Sequence, residues 1–327
     1  MKKHAMAMMM AAVMGMSLVA SMPGVSAEEA ETEAAADLSN LSGLTIGFSQ
    51  SDNSSNWKIV ETEDMQEKAE EYGINLIYTD ASGDIAKQAS DIEDLVAQGV
   101  DYLIVAPQQE DGLQASLIAA MDAGIPVILV DRGVNGDAGT VYTSSIMSDF
   151  VWEAEQIAER VIEYTGGTGN VVIIEGTQGA TSTTDRQEGF MNTIEGTDLE
   201  VISDQVANYS QPEAQEVMEN ILQAQGDNID IVYCHGVDMA IGAITAIKAA
   251  NYVPGEDMQV VCVDASKDGM EAILAGELLC ACSCSPFFGE ATFSLISQLV
   301  DGETLEVEYI NEDTVYDITN ADVALGY

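Results

Sequence analysis

The chain has 327 residues, 47% of them hydrophobic and 20% charged, with 56 Asp and Glu against 10 Lys and Arg and a formal net charge of −46. That is enough chain for two domains of ordinary size. A field so strongly negative repels nucleic acid and anionic membrane surfaces, which sets aside a role on either. The opening stretch, residues 1–27, reads as a secretory signal peptide. It has a basic start (Lys2, Lys3), an apolar stretch from Ala5 to Ala20, a break at Pro23-Gly24, and Val25-Ser26-Ala27 as a small-residue cleavage site. It is too short for a membrane span, which needs about 20 apolar residues, so the processed chain is not expected to span a membrane. No cysteine precedes Cys234, so the lipid-bearing cysteine of many exported bacterial proteins is missing. The expected location is periplasmic or extracellular. Cleavage after Ala27 leaves 8 Lys and Arg against 56 acids, a formal charge of −48.

Residues 28–43 are rich in Ala, Glu and Thr and then polar, a flexible spacer ahead of the fold. Leu44 to Ser49 is the first strand, followed by the polar loop Gln50 to Asn56 and a helix from Trp57 to Tyr72 that stops at Gly73. Ile74 to Thr79 is a second strand ending at Asp80. The stretch Ala86 to Gln98 is helical, with Ile92, Leu95 and Val96 on one face and Gly99 closing it. Tyr102 to Ala106 is a third strand, and Gly112 to Ala123 the next helix. Ile125 to Arg132 follows. Five of its first six residues are apolar without alternation, as in a strand buried on both faces, and it ends in Asp131 and Arg132.

The rhythm then restarts. Val141 to Ile146 is a short strand leading into a helix around Trp152 to Tyr164. Val171 to Glu175 precedes a hydroxyl- and glycine-rich loop, Gly176 to Arg186. Val201 to Val206 precedes Asn208 and Tyr209; Ile229 to Cys234 precedes His235, Gly236, Val237 and Asp238, with a helix from Met239 to Ala250; Gln259 to Val263 precedes Asp264. Strand and helix alternate at about 25 to 30 residues per unit, which predicts right-handed βαβ units, a parallel sheet and an α/β fold, repeated in two similar lobes.

Ligands collect at the carboxyl ends of such strands, so Asp131 and Arg132 stand where a crevice opens, as a sugar-gripping pair or as an ion pair satisfying itself. Other chemistry is poorly supported. Gly166-Gly-Thr-Gly169 precedes a strand and reads as a connecting turn, whereas a dinucleotide loop must follow one. Gly176-Thr-Gln-Gly179 lacks the Lys-Ser/Thr of a phosphate loop; Thr177, Ser182 and Thr183 read as a polar rim or as ordinary loop solvation. No Gly-x-Ser-x-Gly elbow exists, and His235 is the one histidine of the processed chain. Cys280, Cys282 and Cys284 share one face of a strand; with Cys234 and Cys262 they read as buried thiols, so no metal and no cofactor is expected.

Taken together, several motifs carry a resemblance. They are Gly47-Phe-Ser-Gln50 with Trp57, Val96-Ala-Gln-Gly-Val-Asp101, Ile104-Val-Ala-Pro107, Ile125-Pro-Val with Asp131-Arg132, Gly179-Ala180 with Asp185-Arg186 and Gly189-Phe190, and Asp238 to Lys248. From Leu44 onward the chain resembles the ribose-binding-protein type of periplasmic sugar-binding proteins, nearest in pattern to the galactofuranose-binding branch. The resemblance implies two doubly wound parallel-sheet lobes joined by a three-segment hinge, with the ligand in the interlobe cleft. It further implies a non-enzymatic, monomeric substrate-binding protein that captures a monosaccharide by cleft closure and delivers it to the permease of an ABC importer. The implied ligand-binding residues are Gln50, Trp57, Asp80, Asp131 and Arg132 from one lobe, and Arg186, Asn208, Tyr209 and Asp264 from the other. Relatives usually carry an Asn-Asp pair where this chain has Gly236 and Val237, so Asp238 or His235 is the candidate replacement and a less polar ligand edge is plausible.

The expected crossings lie near residues 146–149, 264–267 and 303–310. They divide the chain into an N-terminal lobe of 44–146 plus 267–303 and a C-terminal lobe of 147–266 plus 304–327. A sugar-sensing chemotaxis component of the same fold and an exported glycoside hydrolase remain as alternatives; a repressor core would need a basic helix-turn-helix where this chain has a leader.

Overall fold

The structure, a computed structural model, describes residues 38–327. The signal-peptide reading of 1–27, and the spacer as far as residue 37, lie outside the described residues. Two six-stranded sheets organise the rest. The first contains β1 (Thr45–Gln50), β2 (Asn75–Asp80), β3 (Tyr102–Val105), β4 (Val127–Val130) and β5 (Ser144–Ser148), in the order β5-β4-β3-β1-β2, with a late strand, Glu308–Asn311, beside β5. Every pairing in it is parallel. The second contains β6 (Thr168–Glu175), β7 (Asp198–Val206), β8 (Ile231–Cys234), β9 (Gln259–Val263) and β10 (Cys280–Cys282), in the order β10-β9-β8-β6-β7. The late strand of the first sheet is β11, and β12 (Val315–Asp317) closes the second, antiparallel to β10.

Helices cover both faces of each sheet, and the strands record it residue by residue. On β4, Ile128 and Val130 join one apolar cluster while Val127 and Leu129 join another, and all four are fully buried. That is why these strands read as unbroken apolar runs. Helix α1 (Asn56–Glu71) is capped by the Ser55 side chain, which accepts from the Lys58 amide. Next come α2 (Ile85–Gln98), with Asp84 at its N-cap and left-handed Gly99 at its C-cap, and α3 (Gln114–Asp122). The second lobe has α4 (Phe150–Thr165), α5 (Thr181–Ile194), α6 (Gln211–Gln225), α7 (Val237–Ala249) and α8 (Lys267–Leu274). The last helix, α9 (Gly289–Val300), returns to the first lobe and packs on α1; the Gly289 amide donates to Asp64 on α1.

Two expectations about boundaries are corrected. The chain does not cross back near 264–267. Cys280 pairs with Val261 and Ala281 with Cys262, so the apolar Cys-Ala-Cys strand extends the second sheet, and the crossing falls at 283–288. The third crossing falls at 312–314, because Glu308 to Asn311 hydrogen-bond along β5 in the first sheet before β12 joins the second. By topology, residues 267–282 belong to the second lobe and 308–311 to the first. The first crossing is between Ser148 and Phe150. The spacer is also shorter than its composition suggests. Leu38 and Leu41 are buried, and Asn40 exchanges hydrogen bonds with Ser297 of α9, so residues 38–43 are part of the fold. Two leucines with an apolar surface to cover outweigh the polar composition around them.

Candidate functional site

The carboxyl ends of the two sheets meet over a small cavity, about 380 Å³ with its open mouth included. Trp57, Asp131 and Arg132 line it from the first lobe; Arg186, Tyr209, Asp238 and Asp264 line it from the second. The two arginines therefore share one hollow. Three of the six non-glycine residues at positive φ among the described residues line it, Asp131 (63°), Tyr209 (58°) and Asp264 (70°), and a fourth, Asn208 (52°), directly precedes Tyr209. Each follows the end of a strand. Left-handed backbone costs a non-glycine residue about 1–2 kcal/mol and is kept where it aims a side chain.

In the first lobe, Asp131 Oδ2 accepts from Lys58 Nζ at 2.6 Å and faces Arg132 Nε at 3.4 Å. Lys58 also binds Glu61 Oε2 at 2.9 Å. Burial alone would lower the Lys58 pKa, but the Asp131 and Glu61 carboxylates beside it raise it, so the ammonium stays charged. The second lobe mirrors this arrangement. Arg186 donates from Nε to Glu153 Oε2 at 2.8 Å and from Nη1 to the His235 carbonyl at 2.6 Å, and its Nη2 lies 3.4 Å from Asp264 Oδ1. Burial pushes Asp264 up to about 7 against the pull of Arg186. The Tyr209 ring bridges the halves, its centroid 5.4 Å from the Arg132 guanidinium carbon and 6.0 Å from that of Arg186. Its hydroxyl donates to Ser182 Oγ at 3.0 Å.

The chain places the remaining sequence-derived candidates elsewhere. The Gln50 amide is spent inside the first lobe: Nε2 donates to Glu61 and Thr62, and Oε1 accepts from the Ser51 amide, so it braces the acid that holds Lys58. Asp80 and Asn208 line a broader polar groove next to the cavity, together with Asp52, Thr177 and Gln178, and the Asn208 amide is tied to Glu213. His235 turns its ring away from the cavity; burial, then the Arg186 charge, lowers it to about 3. Asp238 does reach the cavity, with Oδ2 accepting from the Asn56 amide at 2.9 Å.

Sequence reading missed Lys58, Ser55 and Cys284 as cavity wall, while Gly236, singled out as a less polar ligand edge, does line it. For Lys58 the signal existed, since it is one of 8 cations after residue 27 and lies next to Trp57. Gly236 is explained by its neighbours: a Cβ there would come 2.9 Å from Asp264 Oδ2 and 3.0 Å from Tyr209 Cδ1. A Cβ on Gly176 would run into the same ring. The tyrosine occupies the room that a longer residue at 236 would take.

Hydrogen bonds also stitch the lobes together outside the cavity. The Glu110 amide donates to the Gly179 carbonyl at 2.8 Å, Gln109 Nε2 to the Gln178 carbonyl at 2.8 Å, and Thr184 Oγ1 to Glu110 Oε1 at 3.0 Å. The Gly133 amide donates to Thr181 Oγ1 at 3.0 Å, and Trp57 Nε1 donates to the Cys284 carbonyl in the second crossing at 2.8 Å. The lobes are thus held shut over the cavity.

Comparison with known proteins agrees with this geometry. Residues 46–304 match the family model described as a periplasmic binding protein domain. The chain is 33% identical over 278 residues to the galactofuranose-binding protein YtfQ of Escherichia coli (strain K12), covering 84% of this chain and 87% of that one. Among solved structures, a galactofuranose binding protein superimposes with a TM-score of 0.83 at 33% identity, covering 85% of this chain and 96% of the other. The arabinose ABC transporter component from Shewanella sp. ANA-3, bound to α- and β-L-arabinofuranose, superimposes with a TM-score of 0.82 at 31% identity over 85% and 93%. With two sheets, three crossings and a shared cavity at their carboxyl ends, the chain belongs to the periplasmic binding protein family.

Proposed function

We propose that this protein is the extracytoplasmic, monomeric substrate-binding component of an ABC-type sugar importer, that it captures a monosaccharide in furanose form by closing its two lobes, and that it catalyses no reaction. One observation carries the reading: Arg132 and Arg186, one from each lobe, line the same small cavity, each beside an aspartate. An aspartate and an arginine side by side offer acceptors and donors at the spacing of adjacent hydroxyls. The Trp57 and Tyr209 rings supply faces for the apolar C–H surface of a sugar ring. The furanose-binding relatives point to the same ligand class, and the Shewanella protein, a component of an arabinose ABC transporter, supports delivery to a permease. Among the described residues, no helix is long and apolar enough to cross a membrane.

A thermal-shift screen of the purified protein against furanose-forming pentoses and hexoses, their methyl furanosides and cyclic polyols tests this. A true ligand at 100 times its Kd stabilises by about 2.7 kcal/mol. Arg132→Ala and Arg186→Ala each abolish that shift. A panel in which no compound moves the melting temperature would overturn the reading.

A further inference from the structure

Behind Arg186 a line of polar groups runs from the cavity to all three crossings. Glu153 on α4, fully buried, accepts from Arg186 Nε through Oε2. Its carboxyl lies within hydrogen-bond reach of Asp313, in the third crossing. Asp313 Oδ1 accepts from Ser283 Oγ at 2.8 Å, at the start of the second crossing, and Ser148, the last residue before the first crossing, lies beside the same carboxyl. Ser283 and Thr314 then lock the second and third crossings together, with Ser283 N donating to the Thr314 carbonyl at 2.8 Å and Thr314 N to Ser283 Oγ at 2.8 Å.

The accounting of donors in this line does not close with every acid ionised. Glu153 Oε1 and Asp313 Oδ2 are both shielded from solvent and neither has a donor, although the two carboxyls face each other. One guanidinium, Arg186, pairs directly with Glu153 and Asp264 and reaches Asp313 only through its charge. Two carboxylates in contact away from water do not both stay ionised, and a single proton between them supplies the missing hydrogen bond. We propose that Glu153 and Asp313 share one proton at neutral pH, and that this acid pair positions Arg186 by tying it to the three segments on which the lobes bend.

The other titratable groups facing the pair and its arginine are Asp264, Tyr233, His235, Cys282 and Cys284. Burial holds Tyr233 and both thiols protonated and His235 neutral, whereas Asp264, pushed up to about 7 by burial against the pull of Arg186, changes charge at a pH just below that of the pair. Burial likewise pushes Glu153 up to about 8, with Arg186 opposing, and it raises Asp313. The pair binds a proton in the folded chain that its unfolded carboxyls release near pH 4 to 5. Its stabilising effect is therefore complete below that range and is lost as pH rises to about 8.

The test needs no sugar, so it stands or falls apart from the proposed transport role. In the wild-type protein the infrared difference spectrum against Asp313→Asn shows the carbonyl band of a protonated carboxylic acid at pH 7, bleaching with a midpoint near 8. The side-chain Nε–H resonance of Arg186 shows a step near 8 in wild type that is lost in Asp313→Asn, whose amide replaces the shared proton permanently, while the separate step of Asp264 near 7 persists in both. Glu153→Gln, which keeps an acceptor for Arg186 and donates to Asp313, likewise loses the step near 8 and serves if the first variant folds poorly. An Arg186 resonance that ignores pH in wild type, or that titrates alike in wild type and variant, overturns the proposal.

Discussion

Tyr209 sits in left-handed backbone against two glycines, with both guanidiniums near its ring, and its position is settled by what its neighbours lack. Gly236 is in extended backbone (φ −155°), so a side chain there meets no backbone strain; the obstacle is the ring and Asp264 Oδ2. Gly236→Ala should therefore displace Tyr209 and weaken sugar binding by about tenfold, or 1.4 kcal/mol, measured by calorimetry on a ligand from the screen. The midpoint of chemical unfolding should move little. An alanine variant with unchanged affinity would show that the ring does not set the shape of the cavity. A sequence alone shows a glycine there, but not which bulky neighbour has taken the space. The same holds for Gln50: its place at the end of the first strand was legible, while its inward turn toward Glu61 and Thr62 depends on a helix that packs over it.

The elements that end at the cavity are mostly those that the apolar periodicity announces, and their ends follow ordinary capping chemistry. Helix α4 begins directly after the first crossing, where the Asp149 side chain accepts from the Trp152 amide at 2.9 Å. Removing this cap in Asp149→Ala should cost about 1 kcal/mol of stability by chemical unfolding. Affinity for the same ligand should stay within about twofold, because Asp149 does not line the cavity. A large loss of affinity without a loss of stability would instead make Asp149 a control point of the hinge. The strand Cys280 to Cys282 shows where element-level reading fails. Its two-residue period put Cys280 and Cys282 on one face, and both lie in one apolar cluster with Cys284. Nothing in three residues says which of two similar sheets they extend; pairing with Val261 and Val263 decides it.

For the whole molecule, closure brings acid toward acid. Glu110 of the first lobe bonds Thr184 across the cleft, and Asp185 follows in sequence, pushed up to about 6 by burial first and then by Glu110 and Glu188. In an open form Asp185 regains water and loses Glu110 as a neighbour, so its pKa falls back toward 3.8. The closed form thus binds this proton more tightly, and closure is favoured at low pH and loses that support as pH rises through about 6. Small-angle scattering on the ligand-free protein should show a smaller radius of gyration at pH 5 than at pH 7.5, and Glu110→Gln should flatten the difference. A radius that does not change with pH in wild type would remove this contribution to the open–closed balance.

Much of this was legible in the residues. Unbroken apolar runs ending in polar residues define strands buried on both faces, and their regular spacing with helices implies parallel sheets whose carboxyl ends gather a ligand. Those are local properties of composition and period, and they pointed to Asp131 and Arg132; the family resemblance added Trp57, Arg186, Tyr209 and Asp264, and all six line one cavity. Only the tertiary structure decided where the chain changes lobes, that Lys58 balances Asp131, that Asp80 and Asn208 border a neighbouring groove, and that Glu153 and Asp313 stand face to face. Each of these depends on contacts between segments far apart in the chain, whose pairing is set by packing and electrostatic balance in the folded molecule.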